Sequence, residues 1–298
     1  RQAVIYITSQ THHCVNKALH ITGLYESVQR TIEINAKFQM DTHALRTQIL
    51  KDISEGLKPF LVIGSAGTTD TGSVDDMDAI AAISDEFDLW FHVDAAYGGF
   101  FMLLEEFKIK FKGIERSDSV VLDPHKSLFI PYGSGAVLVR DRNILLASNV
   151  YKAAYMKDAF EMEDINPADT GIELTRHNRA LRMWLPLHLH GLAPFKAALQ
   201  EKLILSNYFH QKISSLGFET GHQPDLTVSI FRFPHDEDNK INQALVDAIH
   251  KDGRVFLSST FIHGKLWIRC AILSHRTHLD EVNLALKMIE ENIANLKK

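Results

Sequence analysis

The sequence predicts an α/β domain built on a mainly parallel sheet, followed by a small α+β domain. Three observations carry this expectation. Short β-branched and apolar runs alternate with helical patterns through the first half. Several of these runs, such as Phe60-Leu61-Val62-Ile63 and Val120-Val121-Leu122, are apolar on both faces, as strands covered by helices on each side must be. Beyond Glu173 the texture changes to long helical patterns and one-sided alternating strands.

In order, strands are expected at residues 4–8, 31–34, 60–64, 89–93, 119–122 and 135–139, with helices at 41–55 and 75–87 between them. Residues 176–190 read as a helix kinked by Pro186, and Pro194 opens another that runs to about Leu216. Residues 227–233, 255–258 and 265–271 alternate like strands of an antiparallel sheet, with helices at 240–250 and 279–295. The expected division is a large domain over 1–180 and a small one over 181–298.

Composition narrows the function. With 298 residues, 45% hydrophobic and 23% charged, the chain can bury a substantial core, which excludes disorder, collagen and a small disulfide scaffold. Its 32 basic and 37 acidic residues give a net charge of −5, which argues against nucleic acid or an anionic membrane surface as the main partner and favours a small molecule. Cys14 and Cys270 stand far apart, as free thiols in a reducing compartment do, so a cytoplasmic location is expected. No apolar stretch reaches the roughly 18 to 20 residues of a membrane helix, and the first residues are no signal peptide. A chain that begins in a strand pattern without Met is expected to lack upstream residues.

Three segments carry the chemistry. Asp123-Pro124-His125-Lys126 follows an apolar strand and precedes a turn with Gly133 and Gly135, which puts Lys126 at a strand's carboxyl end, where α/β sheets bind ligands. Taken alone, such a lysine is far more often an ordinary solvated surface residue, and the two further segments shift that balance. In Trp90-Phe91-His92-Val93-Asp94-Ala95-Ala96-Tyr97-Gly98-Gly99, Asp94 ends a strand with Ala96 on its face, a carboxylate beside a small flat patch that suits a planar cationic ring. A helix cap or a metal ligand is the alternative there. In Gln10-Thr11-His12-His13-Cys14, a strand gives way to a helix, and His12 either stacks on a ring or caps the helix.

Together these motifs resemble the pyridoxal-phosphate-dependent decarboxylases of the group containing the aromatic-amino-acid, histidine and glutamate decarboxylases, which share the aspartate-aminotransferase fold (fold type I). Gly67-Thr68-Thr69 with Asp75 is similar to the family's Gly-Thr-Thr segment and following aspartate. Leu174-Thr175-Arg176-His177 through Trp184 looks like its Arg-rich helix. The resemblance runs over essentially all of the chain and is specific for the family, not for a substrate.

It implies pyridoxal 5'-phosphate as cofactor, held on Lys126 as a Schiff base, with Asp94 keeping a proton on the pyridine nitrogen so that the ring accepts electrons left by departing CO₂. Ala96 would pack one ring face and His12 the other. His125 would lie near the phosphate, and Thr69 and Asp75 near the ring substituents or behind them. The implied activity is decarboxylation of an L-amino acid, most similar to the aromatic-amino-acid enzymes, by a homodimer with sites at the subunit interface. An aldehyde-forming variant and a catalytically silent scaffold are the alternatives.

Two departures bear on those alternatives. The family's Gly/Ser-rich phosphate loop lies upstream of the His-containing segment, and nothing equivalent precedes Arg1, so the chain reads as an incomplete copy. In the animal aromatic decarboxylases a mobile loop supplies a tyrosine that protonates the carbanion. Residues 160–170 are acidic and carry none, and Tyr151 and Tyr155 match positions upstream of it. The segment is expected to be a mobile loop, with proton delivery passing to His12 or a water. Trp184 and Trp267 are expected in the core. His188, His190, His275 and His278 lack the partners of a zinc site, so metal is not expected.

Overall fold

The computed structural model describes residues 2–149 and 166–296. Seven elements build the first layers: β1 (Ala3–Thr8), α1 (Cys14–Ile21), β2 (Val28–Ile32), α2 (Thr42–Ser54), β3 (Lys58–Ser65), α3 (Met77–Phe87) and β4 (Trp90–Asp94). After three short 3-10 turns come β5 (Ser119–Leu122), α4 (Pro124–Ser127), β6 (Ala136–Val139) and α5 (Arg142–Asn149). The sheet order is β2-β1-β3-β4-β5-β6, and β6 alone runs antiparallel to its neighbour. The carboxyl ends of β1, β3, β4 and β5 therefore share one edge, and chain crossing back over that edge is where a ligand meets the sheet.

Helix starts follow local chemistry. The Asp41 carboxylate accepts the amides of His43 and Ala44 at the head of α2, and Asp76 accepts that of Ala79 at the head of α3, satisfying donors that a first turn leaves orphaned. One sheet face packs Val4, Tyr6, Val62, Phe91 and Val93 with Leu45, Ile49 and Ile80 of α2 and α3. On the other, Ile5, Ile7 and Ile63 pack with Leu19 of α1.

The remaining chain forms α6 (Leu181–His190), α7 (Ala193–Ser215), β7 (Glu219–Thr220), β8 (Val228–Arg232), α8 (Lys240–Asp252), β9 (Ser258–Ile262), β10 (Lys265–Ala271) and α9 (Leu279–Leu296). Its antiparallel sheet, β7-β8-β10-β9, has two buried faces. Val228, Ile230 and Trp267 join the core of the first layers, whereas Phe231, Leu266 and Ile268 pack with Phe209, Ile249 and Ile289 of the helices. Helix α7 bridges both cores, with Leu199 and Leu203 in the first and Phe209 and Ile213 in the second.

Five expectations need correction. The alternating strands of the second sheet, expected to be covered on one side, are buried on both faces because the first layers pack against one and the helices against the other. The second strand lies at Val28–Ile32, three residues early, because its register is set by pairing with β1 from Val4↔Val28 onward. The strand expected at 255–258 is β9, Ser258–Ile262. The left-handed pair His263 (φ 50) and Gly264 (φ 77) makes a tight turn to β10, so Ile262 pairs with Lys265 and the apolar run before Ser258 stays outside the ladder. The helix expected from Arg176 begins at Leu181, since Arg176 and Arg179 are drawn to the Pro167 carbonyl and the Glu173 carboxylate; Pro186 lies inside it. Trp184 is not core. It is 55% exposed and stacks on His188, while Trp267 is buried as expected.

Residues 150–165, including Tyr151, Tyr155 and most of the acidic segment, lie outside the described residues. At its end, Pro167–Thr170 forms a 3-10 turn begun by the Asn166 side chain on the Ala168 amide. Among the described residues no helix is long and apolar enough to cross a membrane.

Candidate active site

Lys126 stands on the single turn of α4, which starts directly after β5 because Pro124 fits the first helical position. Its Nζ lies 2.8 Å from Asp123 Oδ2. Asp123 in turn donates its amide to the Ala96 carbonyl at 3.3 Å, so the turns after β4 and β5 abut.

Asp94 is the last residue of β4. Its Oδ1 accepts the Ala96 amide at 3.1 Å, and among the described residues no other donor reaches the carboxylate. His92, two residues back on the same face, sits 2.8 Å from Ser119 Oγ. That hydroxyl also takes the Trp90 indole N–H at 2.9 Å. Burial holds His92 below its ordinary pKa, hence neutral beneath Asp94. Behind the same turn, a Cβ on Gly98 would stand 2.0 Å from the Ala66 carbonyl oxygen, which is why the chain turns there on glycine.

His12 lies in the turn from β1 to α1. Its Nδ1 accepts the Cys14 amide at 3.3 Å, so the capping reading of this histidine has a real contact behind it. Its ring also meets that of His13 at 4.1 Å. Burial, then the neighbouring His13, push its pKa down, and the charges of Asp94, Lys126 and Asp70 also act on it. Burial raises the thiol of Cys14, which feels Asp94, Lys126 and Asp123. The three segments singled out in the sequence thus converge at one edge of the sheet.

The remaining candidates occupy a shell around this centre. His125 Nδ1 donates to the Ser134 carbonyl at 2.8 Å. Thr69 is exposed, and its carbonyl accepts from Arg269. Asp75 is buried, with Oδ1 on the Met40 amide and Oδ2 on the Ser65 amide, both at 2.7 Å, and burial pushes its carboxyl up to about 6. Sequence reasoning overlooked Arg269, Asp70 and Thr71. The signal for Arg269 was a charge in an otherwise apolar strand, Leu266-Trp267-Ile268-Arg269-Cys270.

The residues fit a pyridoxal-type cofactor. A primary amine and a carboxylate with an unclaimed oxygen face the same edge, and the Ser127 hydroxyl on the Lys126 turn and the Ser134 hydroxyl after it are buried without a hydrogen-bond partner among the described residues. Among the described residues no group of three or more His, Cys, Asp or Glu is placed to hold a metal ion.

Comparison with known proteins shows the family. Residues 1–233 match the family described as pyridoxal-dependent decarboxylase conserved domain. The chain is 34% identical to an aromatic-L-amino-acid decarboxylase of Bacillus atrophaeus, over 98% of this chain and 63% of that protein. It is 29% identical to a phenylacetaldehyde synthase of Arabidopsis thaliana, over 98% and 62%. The crystal structure of Catharanthus roseus tryptophan decarboxylase in complex with L-tryptophan superposes with a TM-score of 0.90 at 26% identity, over 99% of this chain and 62% of that one. The chain thus spans less than two thirds of the length of each of these relatives.

Proposed function

The chain belongs to the pyridoxal-dependent decarboxylase family, and from that premise we propose that its protein removes the α-carboxyl group of an L-amino acid, an aromatic one, with pyridoxal 5'-phosphate carried by Lys126. The observation that carries this reading is the convergence of the Lys126 turn, the Asp94 carboxylate and the His12 ring at strand ends along one edge of the sheet.

When bound, the cofactor supplies the electron sink that cleavage of the bond to a carboxylate requires. The rest is the work of the chain. Lys126 contributes the primary amine that bonds an aldehyde. Asp94 holds a proton on the ring nitrogen with its unclaimed carboxylate oxygen, fixed in direction by the Ala96 amide. The Ala96 methyl packs one face of a planar ring and His12 the other. His125, locked by the Ser134 carbonyl, stands in the hydrogen-bond network at the phosphate end. Thr69 borders the ring substituents, and Asp75 acts from behind by pinning the end of β3 to the segment before α2. His12, neutral at rest and able to give up a proton only after taking one up, or a water beside it, protonates the carbon that loses CO₂.

Further parts of the reading concern the whole protein. The division into domains 1–180 and 181–298 is supported by the two separate sheets. A homodimer is supported by the apolar surface of α6 and the segment before it, where Ile172, Leu174, Trp184, Leu185 and Leu189 are exposed beside a cavity of about 930 Å³. Two unpaired thiols support a cytoplasmic location.

The test is to incubate the full-length protein with a panel of L-amino acids and to measure CO₂, amine and aldehyde. Amine with equimolar CO₂ is expected from an aromatic substrate. Similarity to a phenylacetaldehyde synthase favours a second reading, in which aldehyde replaces amine. Absence of both a visible cofactor band and CO₂ release would leave a silent scaffold.

A further inference from the structure

Outside the residues assigned above, the side chain with the most unusual set of partners is Arg269 on β10. It lies in the antiparallel sheet, yet its guanidinium points across to the first layers. Nε donates to the Asp70 carbonyl at 2.8 Å, one Nη donates to the Thr69 carbonyl, and the other to Ser258 Oγ on β9 at 2.6 Å. A planar cation with a rigid fork of donors has been spent on two successive peptide carbonyls rather than on a carboxylate.

Those carbonyls belong to the loop between β3 and α3, and that loop is tied to the site. Thr71 Oγ1 lies 2.8 Å from both the Thr68 and the Ser73 hydroxyls and donates to Gln10 Oε1 at 3.3 Å. Gln10 is 5% exposed and sits two residues before His12, in the turn where Thr8 and Thr11 bond to each other's backbone and hydroxyl. A continuous set of hydrogen bonds therefore runs from the second sheet to the turn bearing His12.

We propose that Arg269 is a positioning residue for the active site: by clamping the Thr69-Asp70 peptide from the second sheet, it fixes, through Thr71 and Gln10, the placement of the His12 ring. The inference rests on the assignment of His12 to the decarboxylase site and extends it to a residue that acts on His12 through the loop it holds. Substitution to Lys keeps the charge but replaces the fork by a point donor, which can hold one carbonyl and not two.

The consequence can be read without turnover. The groups that face His12 are His13 on its own turn, Asp70 from the clamped loop, Asp94 from β4 and Lys126 from α4. Asp70 favours the protonated ring, and it is the member of that set whose backbone Arg269 holds. Freeing the loop moves that charge away, so His12 should give up its proton at lower pH.

The experiment is a proton-NMR titration of His12, assigned with His12→Gln, in cofactor-free full-length protein. Arg269→Met is expected to lower the midpoint by about 0.5 pH unit, a shift of the size that one partly screened charge produces. Arg269→Lys should restore part of it. Thr71→Val should move the midpoint in the same direction, and the double variant no further than the larger single effect, because both lie on one path. An unchanged or raised midpoint in Arg269→Met, with only a lower Tm, would assign Arg269 to stability and overturn the proposal. If the wild type shows no cofactor band and no CO₂, the functional reading fails, but the titration still reports on the clamp.

Discussion

Lys126 Nζ and Asp123 Oδ2 are held 2.8 Å apart across a single helical turn, so the amine assigned to the cofactor rests on a carboxylate from its own motif. The pair is partly open to solvent, at 37% and 21% side-chain exposure, and such pairs contribute only about 0 to 1 kcal/mol. Lys126 can therefore leave Asp123 at little cost when an aldehyde is offered. Borohydride treatment of the holoenzyme is expected to trap cofactor on Lys126, to trap none in Lys126→Ala, and to go on trapping it in Asp123→Ala. Trapping that persists in Lys126→Ala and maps to another lysine would remove the assignment.

Asp94→Asn keeps the shape of the side chain and the acceptor for the Ala96 amide while deleting the charge. The fold should survive. Loss of a preorganised charge of this kind lowers kcat by about 10²- to 10³-fold. Turnover close to wild type, with cofactor bound, would show that the ring nitrogen does not depend on Asp94.

The two histidines of the first motif should separate clearly. His12→Ala is expected to lose most activity, His13→Ala far less. Burial and then His13 depress the pKa of His12, so if its neutral ring serves the reaction, the acid limb of kcat/KM lies below the ordinary histidine value of about 6.5. Removing His13 lets His12 keep its proton at higher pH, which should move that limb upward. A limb that stays put in His13→Ala would mean that the pH profile reports another group.

How much of this was legible in the sequence depends on the range of the interaction. Strand ends and helix caps are local, so Lys126, Asp94 and His12 could be placed at the edge of the sheet from neighbouring residues. Long-range pairing was not legible. β2 takes its register from β1, and β9 takes its from the His263-Gly264 turn, against what their own apolar runs indicate. Trp184 reads as core by residue type, yet among the described residues the outer face of α6 stays open. Arg269 meets its carbonyls across a separation of about 200 residues, which no pattern within one strand reveals.

Asp75 should make stability depend on pH in an uncommon direction. Burial lifts its carboxyl to about 6, outweighing the Met40 and Ser65 amides that favour the charged form. Its folded pKa lies above the unfolded value of 3.8, so the contribution is full below 3.8 and is lost as pH rises through about 6. Asp75→Asn removes this slope. It also turns an N–H₂ toward one of two buried amides, so a loss of about 1 to 3 kcal/mol is expected in denaturant titrations. A variant as stable as wild type would show that the two amides find other acceptors.

Asp225 has the opposite sign and tests the junction between the two sheets. It stands in the chain entering β8, where Oδ1 accepts Lys110 Nζ at 2.7 Å and Oδ2 accepts the Val74 amide at 3.2 Å, with His222 Nε2 at 3.5 Å. Burial alone would raise its pKa, but His222, Lys110 and the amide outweigh it and bring the value down to about 2. A folded pKa below the unfolded 3.8 means a contribution present above 3.8 and lost as pH falls through about 2, worth about 2 kcal/mol in full. Lys110→Met should remove part of it, and Asp225→Asn all of its pH dependence. Thermal melts of the full-length protein between pH 5 and pH 3 should then separate the variants: the wild type loses stability on acidification through this range, and Asp225→Asn, already weaker at pH 5, loses less. The two sheets share the buried Tyr97 hydroxyl on Thr227 as a second tie, 2.6 Å from Oγ1, which carries no charge in this range, so it should hold in both proteins. Parallel pH slopes for wild type and Asp225→Asn would place the acid sensitivity elsewhere and reduce Lys110 and Asp225 to a surface pair.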